Sequence, residues 1–415
     1  MKQYKEYKDS GVKWMGEIPS HWKTVRLKRT VNLVNEKSTG NGIPYIALEN
    51  IESYTGRLLP LSNIEPDSTC NSFKTNDVLF CKLRPYLTKC VLAPYDGKCT
   101  SELLVLRNFS GDTDFLHYIL LSPNLVADIN ASTYGSKMPR ANWNYIGSCA
   151  IPIPFISEQR AIVSYLNNKV SKIDKYISTA EKKIAALDEL KQVTIADAVT
   201  HGINPNTSMK DSGIPWIGMV PEHWKLTRIK FLFNEISEKE HPEESCLCST
   251  QKYGVIPQSM YENRVVVVNK GLENLKFVRK GNFVISLRSF QGGIEIAHYQ
   301  GIISAAYTIL SLGSKNISSN YIKYLFKSSP FIQLLQTCVT GIREGQNINY
   351  ELLRRQFIPI PTLSQQNEIV SYIDRKVAQI DKMKAAELAQ IGKLKEYKQR
   401  LISDVVTGKV KVTNE

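Results

Sequence analysis

The chain has 415 residues, a formal net charge of +14 and 42% hydrophobic residues, enough for two or three domains each with its own core. No apolar run reaches the roughly eighteen residues of a membrane-spanning helix, and Met1 to Lys8 lacks the apolar stretch of a signal peptide, so no membrane association and a cytoplasmic location are expected. The basic excess is spread, at +6 in residues 226–357 and +3 in each of 20–150 and 365–415, which suits a shaped basic surface better than a nonspecific tail.

The first landmark is Asp9-Ser10-Gly11 followed by Trp14, Gly16, Pro19, His21, Trp22 and Lys23. It returns as Asp211-Ser212-Gly213 followed by Trp216, Gly218, Pro221, His223, Trp224 and Lys225, with nine of fifteen positions identical. A repeat separated by about two hundred residues is too long for a solenoid and indicates a duplicated domain. The His-Trp pairs read as packing anchors, since Trp buries a large area and donates one hydrogen bond.

In the segment that follows, Ile43–Glu49, Val78–Lys82 and Leu103–Arg107 are predicted strands, and Phe115–Leu121 a helix. A second landmark closes it: Ile151-Pro152-Ile153-Pro154, then Ser157-Glu158-Gln159. This returns as Ile358-Pro359-Ile360-Pro361, then Ser364-Gln365-Gln366.

Residues 158–200 are predicted as one long helix, with Ser157 as its N-cap and Gly202 and Pro205 as its exit. Val163, Leu166, Val170, Ile173, Ile177, Ala180, Ile184 and Leu187 form a heptad seam. In the second half, Val265–Val268, Phe283–Leu287 and Ala305–Leu310 are predicted strands and Tyr321–Lys327 a helix. Residues 365–408 repeat the long helix, with Val370, Ile373, Val377, Ile380, Ile391 and Leu394 on the seam and Lys384 and Glu387 interrupting it. A helix of this size extends roughly 64 Å and buries its seam only against a partner. The other copy in the same chain is the nearest one, so an antiparallel pair is expected, with a globular domain at each end.

The two inserts between the landmarks, from Asn32 to Ser148 and from Asn234 to Gln356, show little likeness to each other. Major-groove recognition favours Arg on guanine and Asn or Gln on adenine, while Lys and Arg contact phosphate. Loops combining these residues with glycine give the candidates Lys82, Arg84, Lys137, Arg140 and Asn142 in the first insert. The second offers Arg288, Gln291, Arg343, Gln346 and Asn347.

These four features, the duplicated opening motif, the duplicated closing motif, the paired heptad helices and the dissimilar inserts, span nearly all of the chain. In this order they resemble the specificity subunit of type I restriction-modification systems. The resemblance implies an α/β (α+β) fold. Two diverged α/β target recognition domains (1–157 and 201–364) would be separated by a long antiparallel two-helix coiled coil (158–200 and 365–408), in a pseudo-twofold internal repeat with a tail at 409–415. It further implies that each recognition domain reads one half of a split target in double-stranded DNA. The helices would set the distance between the halves and dock two methyltransferase subunits, motor-nuclease subunits would join the complex, and the chain itself would perform no chemistry.

The residues agree with the last expectation. No Asn-Pro-Pro-Tyr or Asp-Pro-Pro-Tyr sequence for amino-methyl transfer and no phosphate-binding loop is present. Pro66-Asp67 lacks the downstream acidic-x-Lys partner of a nuclease and reads as a turn. The eight cysteines form no C-x-x-C pair, so buried thiols are expected and no metal, cofactor or catalytic residue is assigned. Two other readings stand beside this one. A cryptic DNA-modifying or DNA-cleaving enzyme would act alone when purified, and a nonspecific architectural DNA-binding protein would show no sequence preference.

Overall fold

Each half is closed by a ladder between its opening and closing motifs. Lys23–Arg26 pairs antiparallel with Ala150–Ile153, and Lys225–Arg228 with Phe357–Ile360. Pro152 and Pro359 are tolerated because each ladder has only two strands and the proline nitrogen needs no partner on its open side. These contacts come from a computed structural model that describes residues 3–38, 42–61, 70–262, 270–341 and 347–412. The predicted strand Val265–Val268, the Pro66-Asp67 turn, Arg343 and Gln346 lie outside the described residues.

The opening motif is a hairpin, Tyr7–Asp9 with Glu17–Pro19 and Met209–Asp211 with Met219–Pro221. Asp9 and Asp211 accept hydrogen bonds from the backbone of Gly11 and Gly213, both at 2.9 Å. These glycines sit at φ +68° and +66° with open space around them. Backbone conformation, not crowding, therefore demands glycine there. Trp22 and Trp224 are buried, each removing on the order of 200 Å² from water. The indole donor that ties opening to closing motif is Trp14, which bonds the Ala150 carbonyl at 3.2 Å. Trp22 Nε1 finds no partner among the described residues, contrary to the expectation for the His-Trp pair.

The chain divides into two compact units, Met1–Glu181 with Leu388–Glu415, and Lys182–Glu387. Each contains a four-stranded antiparallel sheet of the same order. In the first it is Asn32–Val34, Leu103–Arg107, Val78–Cys81 and Cys90–Leu92; in the second, Phe233–Ile236, Thr308–Leu312, Phe283–Ile285 and Glu295–Ile296. The registers correspond: Val34 and Leu79 flank Val105, as Ile236 and Val284 flank Ile309. The following helices, Thr113–Leu120 and Ser319–Lys327, hold equivalent tyrosines. Tyr118 bonds Asn167 at 2.6 Å, and Tyr324 bonds Asp374.

Val78–Lys82 ends one residue early, at Cys81, and three other predicted strands are shorter or shifted for local reasons. Ile43–Glu49 contributes only Tyr45–Ile46, because buried Asn50 accepts from the Ala47 amide at 2.9 Å and closes a tight turn. Phe283–Leu287 stops at Ile285, where the Ser286 amide bonds Ser289 Oγ. Ala305–Leu310 becomes Thr308–Leu312, since a turn from Ser304 to Tyr307 occupies its start.

The long helices are Ile156–Thr200 and Leu363–Val406. The first begins ahead of Ser157, which lies in its first turn and does not cap it; the Phe155 carbonyl already accepts from Gln159. In the second unit Lys183, Asp188 and Lys191 pair with Glu387, Lys384 and Asp381 in turn. Ascending numbers against descending ones make this pairing antiparallel. Lys384 and Glu387, which interrupt the apolar periodicity, are thus partners for the facing helix. In the first unit buried Lys398 pairs with Asp174 at 2.8 Å.

Of the predicted seam, Val163, Leu166, Val170, Ile173, Ile177, Leu187, Ile373, Ile380 and Ile391 are buried, while Ile184, Val370, Val377 and Leu394 are half-buried. The helix ends serve the cores as well. Ile195, Ala198, Val199, Ile369 and Ile373 pack into the second unit's core with Trp224 and Tyr321. The chain leaves each helix through a glycine at positive φ, +83° at Gly202 and +75° at Gly408. A Cβ at Gly408 would come within 2.4 Å of Pro19, and one at Gly202 within 3.3 Å of Trp224.

Candidate nucleic-acid interface

The structure brings the two candidate loops of the first insert together. Leu83 and Arg140 face each other across an antiparallel bridge. The Arg84 amide bonds the Pro139 carbonyl at 2.7 Å, and the Ala141 amide bonds the Lys82 carbonyl at 2.9 Å. Arg84 adopts the left-handed conformation, φ +48° and ψ +61°, an unusual state for a non-glycine residue. Among the described residues its exposed guanidinium reaches the Lys137 carbonyl, at 3.4 Å. Lys137 is exposed and Lys82 half-buried.

The other two candidates in this insert are engaged locally. Arg140 forks onto the Glu102 carboxylate at 2.9–3.2 Å, which raises the guanidinium pKa. Asn142 caps the short helix Trp143–Ile146 by accepting from the Asn144 amide at 2.9 Å.

In the second insert the corresponding loops also converge. Gln291 is exposed on the single helical turn Ser289–Gly292, which exposed Arg288 precedes and which packs beside the strand Asn347–Ile348. Asn347 is exposed and pairs through its backbone with Thr340. Asn349 caps the next helix, Tyr350–Leu353, as Asn142 does in the first unit.

Arg288 and Gln291 border a cavity of about 1110 Å³ that also includes Gln251, Lys252, Tyr253, Lys280, Glu295 and His298. Its outer turn is built on Thr250, which accepts from the Tyr253 amide at 3.0 Å and donates to the Gly254 carbonyl at 2.9 Å. Glu295 is buried and bonded by Lys327 at 2.5 Å. Burial pushes its carboxyl up to about 7, against the opposing pull of Lys327. Burial also lowers the His298 pKa, helped by Lys323 and Lys280. None of these additional lining residues was a sequence candidate. The one legible signal was a charged Glu295 inside the apolar run Ile294 to Ala297.

Sequence reasoning also missed how the frame holds together. His21 Nε2 lies 3.0 Å from Glu158, and His223 Nε2 lies 2.7 Å from Gln365. The next residue in each copy, Gln159 or Gln366, is buried. Gln159 accepts from the Asp112 amide and donates to the Pro154 carbonyl, each at 2.9 Å. Gln366 accepts from the Ser318 amide at 2.7 Å and donates to the Pro361 carbonyl at 2.9 Å. Each glutamine therefore fastens the start of a long helix to the loop that begins its unit's first sheet-packing helix.

Residues 221–393 match the family described as the type I restriction modification DNA specificity domain. The MjaVIII specificity subunit of Methanocaldococcus jannaschii is 23% identical over 435 residues, covering 98% of each chain. The chain is similar to type I restriction-modification specificity subunits along its length. The EcoDI specificity subunit of Escherichia coli is 26% identical over 196 residues, 45% of this chain and 43% of that relative, so this alignment spans less than half of the EcoDI protein.

The fold agrees with that of solved structures. A chain from a study of complex assembly and conformational transition of the type I R-M system aligns at TM-score 0.69 with 18% identity, over 95% of this chain and 99% of that one. The HsdS subunit from Thermoanaerobacter tengcongensis aligns at 0.51 with 18% identity, over 95% and 98%. Among the described residues no helix is long and apolar enough to cross a membrane, and no group of three or more His, Cys, Asp or Glu side chains is placed to hold a metal ion.

Proposed function

We propose that the chain reads a bipartite sequence in double-stranded DNA, with residues 1–157 and 201–364 as separate readers of its two halves. Helices 158–200 and 365–408 set the unread spacer and dock two methyltransferase subunits, and motor-nuclease subunits complete the assembly. The chain contributes recognition and no chemistry. Arg84 and Lys137 in the first reader, and Arg288, Gln291 and Asn347 in the second, are the described contact residues best exposed for DNA.

The observation that carries this reading is the repetition of one frame around two different loop sets. The same closing ladder, sheet order and tyrosine anchor recur, while the inserts that carry the converging loops show little sequence likeness. Sequence-independent binding gives no reason for such divergence. Exchange of residues 20–150 for the insert of another specificity subunit tests it, with methylated sites read by sequencing in cells carrying the whole system. One half of the target is expected to change; a change in both halves together would overturn the two-reader assignment.

A further inference from the structure

Equivalent positions of the two units differ at Glu295, which lines the cavity. In the first unit Leu79 lies between Val105 and Val91; in the second Val284 lies between Ile309 and Glu295. Glu295 therefore stands where the first unit has Val91. Lys327 follows Tyr324 by three positions, as Leu121 follows Tyr118, and the two tyrosines make equivalent bonds to the long helices. The second unit thus carries a buried carboxylate bound to a half-buried ammonium where the first has two buried apolar side chains. Such a pair gains little stability over apolar residues of similar size, because desolvation offsets the attraction. Packing does not account for it.

Its surroundings do point to a ligand. Glu295 lines the cavity bordered by Arg288 and Gln291. Lys327 occupies its Oε1 and also bonds the Gln251 carbonyl at 3.1 Å, so the ammonium is held from two sides and fixes the carboxylate. Once ionised, above about pH 7, the carboxylate only accepts hydrogen bonds, and it has more lone pairs than Lys327 uses. On the major-groove edges of the bases, only cytosine N4 and adenine N6 offer donors; guanine and thymine present O6, N7 and O4 acceptors there. Tyr253, His298 and Tyr299 line the same space.

We propose that Glu295, clamped by Lys327 at the floor of this cavity, selects a base carrying an exocyclic amino group, cytosine or adenine, at one position of the half-site read by the second unit. This rests on the reading of that unit as a DNA reader.

The test uses the full chain assembled with its methyltransferase subunits and a randomised duplex library at pH 8, where Glu295 is ionised, with bound sequences counted. Glu295→Gln keeps the shape but replaces one acceptor oxygen with a donor. It is expected to reduce the preference for cytosine or adenine at one second-half position by about tenfold or more, leaving the first half-site unchanged. Glu295→Val combined with Lys327→Leu restores the apolar pair of the first unit and is read in the same way if the single variant melts early. Unaltered second-half preferences in a folded, DNA-binding double variant would overturn the proposal, as would a guanine or thymine at the affected position. If the unsubstituted assembly shows no bipartite preference, the reading of the second unit fails instead, which is a distinct result.

Discussion

Lengthening both long helices by one turn should lengthen the spacer of the DNA target. Four residues inserted between Glu181 and Lys182, and four between Ala389 and Gln390, add about 6 Å to each helix. B-DNA advances about 3.4 Å per base pair, so the preferred spacer should grow by one or two base pairs. The ion pairs show why both insertions are required. Asp174–Lys398 lies wholly on one side of the insertion points, while Lys183–Glu387, Asp188–Lys384 and Lys191–Asp381 lie wholly on the other. A double insertion preserves all four. Insertion into one helix alone displaces one set of partners by a turn and strands buried Lys398 or the three other pairs, so that variant should lose stability. The assay is selection of bound duplexes from a library with randomised spacer length, alongside thermal melting. A double-insertion protein that melts normally and keeps the original spacer would refute the ruler.

Three other perturbations follow from particular contacts. Lys137→Ala should weaken binding to all duplexes about equally and reduce the slope of log affinity against log salt by about 0.9, if the side chain neutralises one phosphate; an effect confined to one sequence position would make it a base reader instead. Gln366→Leu leaves the Ser318 amide and the Pro361 carbonyl unpaired in the core, and should cost about 2 kcal/mol or more in urea unfolding. A cost near zero would mean that the glutamine does not fasten the helix start. Glu295 has a folded pKa raised from 4.5 to about 7, so the native state holds a proton that the unfolded chain has released. Its stability contribution is complete below about pH 4.5 and declines as pH rises through 7, by up to about 3 kcal/mol. Glu295→Gln should remove that part of the decline when unfolding is compared at pH 5 and pH 8; an unchanged pH slope would contradict the burial argument.

The sequence by itself determined the frame. Heptad periodicity and paired prolines are local signals, and they locate the two long helices and the motifs that open and close each half. The duplication announced two equivalent units, because identical short motifs at matching places require equivalent surroundings. Tertiary structure decided which polar groups meet. His21 and Glu158 are far apart in the chain but joined because opening and closing strands form one ladder. Lys384 and Glu387 look like faults in an apolar stripe until the facing helix supplies Asp188 and Lys183. Arg140 and Asn142 read equally well as DNA contacts, yet only the backbone path shows that Glu102 and the Asn144 amide already engage them. The same holds for Glu295 and Lys327, which sheet register and helix packing bring together at a cavity floor. A side chain's type states what it can bind; what it does bind depends on long-range register, which residue patterns do not encode locally.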